Sequence, residues 1–238
     1  ALSLFAAGEI ARANDPFLSE TIFYTDADEM LSNAQLDGVM IGTSCYLHTE
    51  MACRVAAHNL PLFLEKPVAI TFEQLKALDA AFRPVTASTV VSFPLRLSPI
   101  VQRVQELVEA DTIGSVEHVV AFNDVPYGDV YYRRWHRNYD ENGGLFLQKA
   151  THDLDYIAYL LGQRPRMICA MKAQRVYGGD KPFDLRCADC DEQETCPESP
   201  FNRFYQRFQG ETVQSETDGN NMCMFAEGIR NQDMGNCI

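Results

Sequence analysis

Between Asp37 and Phe93 the chain alternates short apolar runs with helix-length segments, and this rhythm constrains the fold more than any other feature. Asp37-Gly38-Val39-Met40-Ile41-Gly42 reads as a short buried strand bounded by turn formers. Thr43-Ser44 then caps a helix from about Tyr46 to His58, in which Leu47, Met51, Val55 and Ala56 recur at helical spacing. A strand over 61–64, a helix over 71–82 and a strand over 85–93 follow. Strands that alternate with helices imply right-handed crossovers and a mainly parallel sheet with helices on both faces.

Before this region, residues 1–14 read as a helix. After Phe93-Pro94 the pattern changes, which predicts a second domain. It opens with a helix from Ser98 to Ala110, a strand from Val116 to Asn123, and an aromatic and basic loop from Tyr127 to Tyr139 without clear periodicity. A long helix from about Gly144 to Leu161, a strand from Met167 to Val176 and a polar, cysteine-bearing loop to about Arg203 complete it. The chain ends at Cys237-Ile238 inside a strand-like stretch. The expected class is α/β, with a partial parallel-sheet domain over 1–94 and an α+β domain over 95–238.

A chain of 238 residues with 46% hydrophobic content can bury a core of one large or two modest domains. Its net charge of -13 argues against nucleic-acid partners, which need a basic footprint to displace counterions. No apolar run approaches the roughly 20 residues that span a bilayer, and the first residues lack the basic flank of a secretory signal. These features predict a cytoplasmic protein without a membrane partner.

Lys66 follows the apolar run Pro61-Leu62-Phe63-Leu64 within Glu65-Lys66-Pro67, so a cation is delivered where a buried strand ends. Open α/β sheets keep their chemistry at that edge. A lysine beside a carboxylate and a rigid proline suits a proton donor or substrate anchor; taken alone, it equally suits a surface loop. A parallel sheet of this kind usually takes a nucleotide through a glycine-rich turn after its first strand, yet no G-x-G-x-x-G occurs.

On a helical wheel of 145–161, Leu147, Ala150, Leu154, Ile157, Ala158 and Leu161 form the core-facing side. Gln148, His152, Asp155 and Tyr159 share the other, with Lys149 and Tyr156 beside them. His152 titrates near neutral pH and can take a proton from a hydroxyl, with Gln148 or Asp155 fixing its tautomer. The bland alternative is a solvated polar face. Gly143-Gly144 gives the helix a flexible entry and permits close approach of backbone to ligand.

The loop Arg133-Arg134-Trp135-His136-Arg137 gathers cations around the single tryptophan. Arg134 and Trp135 could clamp an anionic or polyhydroxylated substrate, or the cations could balance the acidic remainder. Of eight cysteines, only Cys187, Cys190 and Cys196 cluster. Their C-x2-C-x5-C spacing has the first pair of a zinc knuckle but lacks a second, so zinc, with Cys223 or water as fourth ligand, competes with a disulfide and with free thiols.

The order of Ile41-Gly42-Thr43-Ser44 with His48, then Glu65-Lys66-Pro67, then Gly143-Gly144 and Lys149-Ala150-Thr151-His152-Asp153-Leu154-Asp155 resembles the Gfo/Idh/MocA family of NAD(P)-dependent oxidoreductases. The resemblance runs from about Ala34 onward. It implies a Rossmann domain followed by a domain with a large, mostly antiparallel open sheet that also serves oligomerisation, an active site between them, and a homo-oligomer. It further implies NAD or NADP as cofactor and a small polar substrate such as a sugar or cyclitol.

Carried over, Thr43, Ser44 and His48 would lie near the cofactor, and Glu65, Lys66 and Pro67 would flank the nicotinamide. Lys66 would hydrogen-bond the reacting oxygen, His152 would act as acid or base, Gln148 and Lys149 would face the substrate, and Asp155 would support the substrate or the histidine. Where many members carry an aspartate four residues before the histidine, this chain has Gln148; Lys149 resembles a subgroup with lysine at that place. The missing glycine fingerprint implies an internal piece of the full family fold. An NAD-dependent glycoside hydrolase or lyase using transient oxidation, and a non-catalytic ligand sensor, remain alternatives on the same frame.

Overall fold

The computed structural model describes residues 20–123, 128–199, 202, 222–229 and 236–237. They divide into two compact units, the described residues up to Thr43 with Leu47–Ser92, and Ser44–Tyr46 with the described residues from Phe93 onward. The helix expected over 1–14 and the start of the aromatic loop at Tyr127 lie outside the described residues.

In the first unit the elements run α1 (Ala27–Asn33), β1 (Val39–Ile41), α2 (Cys45–Ala57, of which the part from Leu47 belongs to this unit), β2 (Leu62–Leu64), α3 (Phe72–Phe82) and β3 (Thr89–Val91). Side-chain caps fix two helix starts: Asp26 accepts from the Glu29 amide at 2.8 Å and Thr71 from the Gln74 amide at 3.1 Å. The strands form a parallel sheet in the order β1-β2-β3, with Met40, Phe63 and Val90 in register. Ile41, Leu62 and Leu64 on the alternate face pack with Leu31 of α1 and Ala52 and Val55 of α2.

The sheet departs from expectation in two ways. Met40 is 77% exposed and Val90 53%, so among the described residues helices cover one face and not both. The strand expected over 85–93 shortens because the Asn59 side-chain oxygen accepts from the Thr86 and Ala87 amides at 2.9 and 3.1 Å, removing both from the ladder.

The second unit begins with a 3-10 turn, Pro94–Leu97, and α4 (Pro99–Glu109). Of the strand expected over 116–123 only β4 (Phe122–Asn123) forms, paired antiparallel with β5 (Asn236–Cys237). The strand expected over 167–176 is not formed. A strand needs a pairing edge, and this stretch runs exposed, with Met171 at 96%.

The presumed irregular loop is instead helical in short pieces: α5 (Gly128–Arg133), a 3-10 turn at Trp135–Arg137 and α6 (Tyr139–Asn142). Asn142, fully buried, holds them together by donating to the His136 and Asn138 carbonyls while accepting from the Gly144 amide at 2.7 Å.

The long helix expected from Gly144 is composite. Phe146–Ala150 is a π-helical turn, and α7 (Thr151–Leu161) continues it as α-helix. Gly144 takes φ +86°, and a Cβ there would stand 2.5 Å from the Tyr139 ring, so glycine is required by backbone and packing alike. Tyr132, Leu145, Cys223, Met224, Ala226 and Ile229 form this unit's core.

Candidate functional site

In the first unit, the turns that leave β1 and β2 at their carboxyl ends are tied together by the start of α2. Buried His48 stands 2.7 Å from the Pro67 carbonyl through Nδ1 and 2.8 Å from the Thr43 carbonyl through Nε2. A neutral imidazole carries one N–H and serves one carbonyl at a time; the protonated ring serves both. Thr49 adds a bond from its hydroxyl to the Val68 carbonyl at 2.8 Å. These contacts fix Glu65-Lys66-Pro67, leaving Pro67 buried and Glu65 and Lys66 half-buried.

Above β1 the space is open, since an added Cβ at Gly42 would meet no atom within 4 Å. Thr43 is exposed and Ser44 half-buried. An anchored, open turn at the carboxyl edge of a parallel sheet fits the placement of a dinucleotide in such folds. Thr43, Ser44 and the Glu65–Pro67 turn are the residues that would hold it.

In the second unit, His152 is half-buried on α7, with its ring edge-on to Phe93 at 6.0 Å between centroids. Asp155, one turn further, accepts from Arg96 Nε at 2.8 Å and from Nη2 at 2.5 Å. That bidentate bond pushes Arg96 further above its ordinary value. The same guanidinium lies over the Tyr159 ring, 5.1 Å from its centroid. The negative charge of Asp155 is thus committed to Arg96.

The π turn changes what the wheel implied for Gln148. It is buried and not part of a solvent-facing stripe, and its amide donates to Cys45 Sγ at 2.7 Å. An extra residue in the turn advances the helix by about 100°, so residues before and after it do not share one continuous face. Lys149 is half-buried. Asp153, read from the sequence only as part of a motif, is fully buried and accepts from Asn123 Nδ2 at 2.5 Å. Burial, reinforced by Asp153, pushes the nearby Tyr156 phenol up.

In the basic loop the cations part company. Arg134 is exposed and Trp135 is 44% exposed, stacked on His136 at 3.8 Å, whereas Arg133 and Arg137 are buried at 3% and 2%. Arg133 donates through Nη2 to the Glu198 carbonyl and approaches Cys187 Sγ at 3.9 Å through Nη1. Cys187, Cys190 and Cys196 line a cavity of about 20 Å3 together with Cys223. Among the described residues no three His, Cys, Asp or Glu side chains stand ready to hold a metal ion. Burial pushes the Cys187 and Cys223 thiols up.

Sequence reasoning missed Arg96, Asn142, Asp153 and Cys45. Only Arg96 left a signal, as a lone cation in an otherwise apolar Phe93–Leu97 stretch. Among the described residues no helix is long and apolar enough to cross a membrane.

Residues 8–92 match the family model described as oxidoreductase family, NAD-binding Rossmann fold, and residues 101–196 match the GFO/IDH/MocA C-terminal domain. The protein YteT of Bacillus subtilis (strain 168) is 27% identical over 86% of this chain and 48% of its own length. Inositol 2-dehydrogenase of Rhizobium meliloti (strain 1021) is 28% identical over 61% of this chain and 43% of its own. The chain therefore spans about half the length of the curated relatives it matches. Among solved structures, myo-inositol 2-dehydrogenase from Lactobacillus plantarum is similar with a TM-score of 0.57 at 20% identity, over 66% of this chain and 46% of that one. Likeness at that identity establishes the fold.

Proposed function

The chain belongs to the GFO/IDH/MocA family of oxidoreductases, and from that premise we propose that the protein moves hydride between a nicotinamide cofactor and a hydroxyl-bearing carbon of a small polyol, a sugar or cyclitol. The cofactor, NAD or NADP, supplies the hydride acceptor at its nicotinamide ring. Lys66 hydrogen-bonds the substrate hydroxyl and keeps its oxygen polarised as the C–H bond breaks. His152 takes the hydroxyl proton in oxidation and returns it in reduction.

Asp155, held by Arg96, fixes the helix face that presents His152, and Arg134 and Trp135 offer a charged and a flat apolar surface to polyhydroxylated groups. Thr43, Ser44, Glu65 and Pro67 line the cofactor side. The free thiols suit a cytoplasmic setting, and the family suggests a homo-oligomer.

The observation that carries this reading is the anchoring of the lysine turn. Two side chains of one helix, His48 and Thr49, bond the carbonyls of the consecutive residues Pro67 and Val68 and hold Lys66 at the end of a sheet strand. Such preparation suits a positioned proton donor.

The test uses the intact protein with NAD+ or NADP+ and a panel of sugars and cyclitols. Lys66→Met and His152→Gln each lower kcat by about 10²- to 10⁴-fold. The double variant loses little more than the weaker single, because groups that handle one proton act as a unit. Wild-type activity in both singles, with folding retained, refutes the assignment. Turnover without net release of reduced cofactor would instead select the hydrolase or lyase chemistry, and ligand binding without turnover the sensor.

A further inference from the structure

The cysteine-lined cavity is unused by the proposed chemistry, and two independent features meet there. First, four thiols from two separate stretches of chain line it: Cys187, Cys190 and Cys196 from the loop, and Cys223 from far downstream. Backbone bonds bring the second stretch in. The Cys223 amide donates to the Leu185 carbonyl at 2.9 Å, the Met222 amide to Arg133 at 3.2 Å and the Glu227 amide to Lys181 at 2.8 Å. Arg186 and Met222 form an antiparallel bridge, and Lys181 and Ala226 a parallel one. Cys187 and Cys190 lie at the two ends of a tight turn, with the Cys190 amide directed at the Cys187 carbonyl at 3.4 Å.

Second, among the described residues Arg137 is a buried cation without compensation. It is 2% exposed, and among the described residues its Nε, Nη1 and Nη2 have no hydrogen-bond partner. The Phe183 ring lies against it, with its centroid 4.5 Å from the guanidinium carbon. A cation–π contact offsets only part of what an unpaired buried charge costs. Among the described residues, burial lowers its pKa while Cys223 and Cys187 are near enough to act against that. Beside neutral thiols this arginine is an anomaly; beside thiolates it is a counter-ion.

We propose that Cys187, Cys190, Cys196 and Cys223 bind one zinc ion as a tetrathiolate, with Arg137 and Arg133 as the cations that neutralise it. Binding takes up one Zn2+ and releases four protons, leaving a complex of net charge -2 with no change of oxidation state. Arg133 is already shared with Glu198, whose carboxylate lies 3.4 Å away, so the dianion supplies the charge that Arg137 lacks. A cavity of about 20 Å3 holds one water-sized particle, which suits a single ion and not a multi-iron cluster. Among the described residues the four thiols line one cavity without standing as a ready ligand set, so binding requires side-chain rotations between staggered wells that draw the sulfurs together. The ion then clamps the loop onto the Met222–Ala226 segment. That segment packs with Tyr132 and with Leu145, the residue before the π turn. The site is structural and stands independently of the dehydrogenase assignment.

The experiment measures metal in the intact protein produced in zinc-supplemented medium, by elemental analysis and by the visible spectrum after replacement with Co2+. The expected result is one zinc per chain, the intense charge-transfer and d–d bands of tetrahedral thiolate cobalt, and loss of zinc in Cys223→Ser. Cys169→Ser, at an exposed cysteine outside the cavity, keeps full zinc content. Arg137→Gln weakens zinc by roughly 10- to 100-fold, as loss of an outer-shell partner does. Should Cys223→Ser fail to fold, the cobalt spectrum of the unsubstituted protein decides by itself. A zinc-free protein that gives no thiolate–cobalt bands overturns the proposal, as does full zinc content in folded Cys223→Ser, or a mass showing disulfides among these cysteines under reducing conditions.

Discussion

Removing Arg96 tests whether the pair it makes with Asp155 organises the His152 face of α7 or merely decorates it. The Asp155 side chain is 10% exposed and that of Arg96 43%, so the pair lies between two regimes. Exposed ion pairs contribute about 0–1 kcal/mol, and breaking a buried one costs about 3–5 kcal/mol. With one partner nearly buried and two charge-assisted bonds at 2.8 and 2.5 Å, a coupling of roughly 1.5–2.5 kcal/mol is expected after allowing for solvent screening of the guanidinium.

A double-mutant cycle with Arg96→Met and Asp155→Asn isolates that term. The stacking of Arg96 over Tyr159 and Phe93 is lost in both arms that carry the methionine and cancels. Urea unfolding of the intact protein, followed by helical circular dichroism, provides the four stabilities. High salt should reduce the coupling only in part, since screening acts mainly between exposed charges. A coupling below about 0.5 kcal/mol, or one abolished by salt, would refute the claim that this pair braces the helix, because it would then behave as a surface pair.

Two further outcomes follow from buried polar groups. His48→Phe keeps the ring volume but leaves the Thr43 and Pro67 carbonyls without that donor, and should cost about 1–3 kcal/mol in urea unfolding; a loss below about 0.5 kcal/mol would show that the ring merely fills space. Tyr131 and Tyr156 are both raised by burial, so the folded state keeps their protons at pH values where the unfolded chain, with a phenol near 10, has lost them. Stability from this source is complete below about pH 10 and is lost as pH rises through the folded values. Tyr131→Phe with Tyr156→Phe should flatten that alkaline decline in a pH series of thermal melts, and an unchanged slope would refute it.

What the sequence disclosed was local. The starts of α2 and α3 and the three parallel strands were legible because turn formers and apolar periodicity act over a few residues, whereas the bond from the Gln74 amide to the Thr71 hydroxyl was not read from the sequence. Strand ends were not, because they depend on who else claims the backbone: Asn59 takes the Thr86 and Ala87 amides from a distance in sequence that no window spans. In the candidate site, Lys66 and His152 were visible as residue types in context. Arg96 was not, since its meaning comes from Asp155 on another helix, and neither was the Asn142 knot. Cys223 entered only as one option for a fourth ligand, because pairing across a long stretch of chain leaves no spacing to read.

The π turn carries the most consequence for reading Gln148. In an unbroken α-helix, residues four apart share a face, and Gln148 would stand beside His152 as a tautomer-fixing partner. With Phe146–Ala150 in π geometry, the glutamine is buried and its amide is spent on Cys45, with a longer approach to the Asn142 carbonyl at 3.5 Å. A neutral amide tolerates that place because its donors are used; a carboxylate there would be a buried charge beside a thiol, held only at the cost of taking up a proton. The departure from an ionisable residue at this position is therefore explained by packing within the second unit. Gln148→Asp would therefore disturb the fold before it could act in a relay.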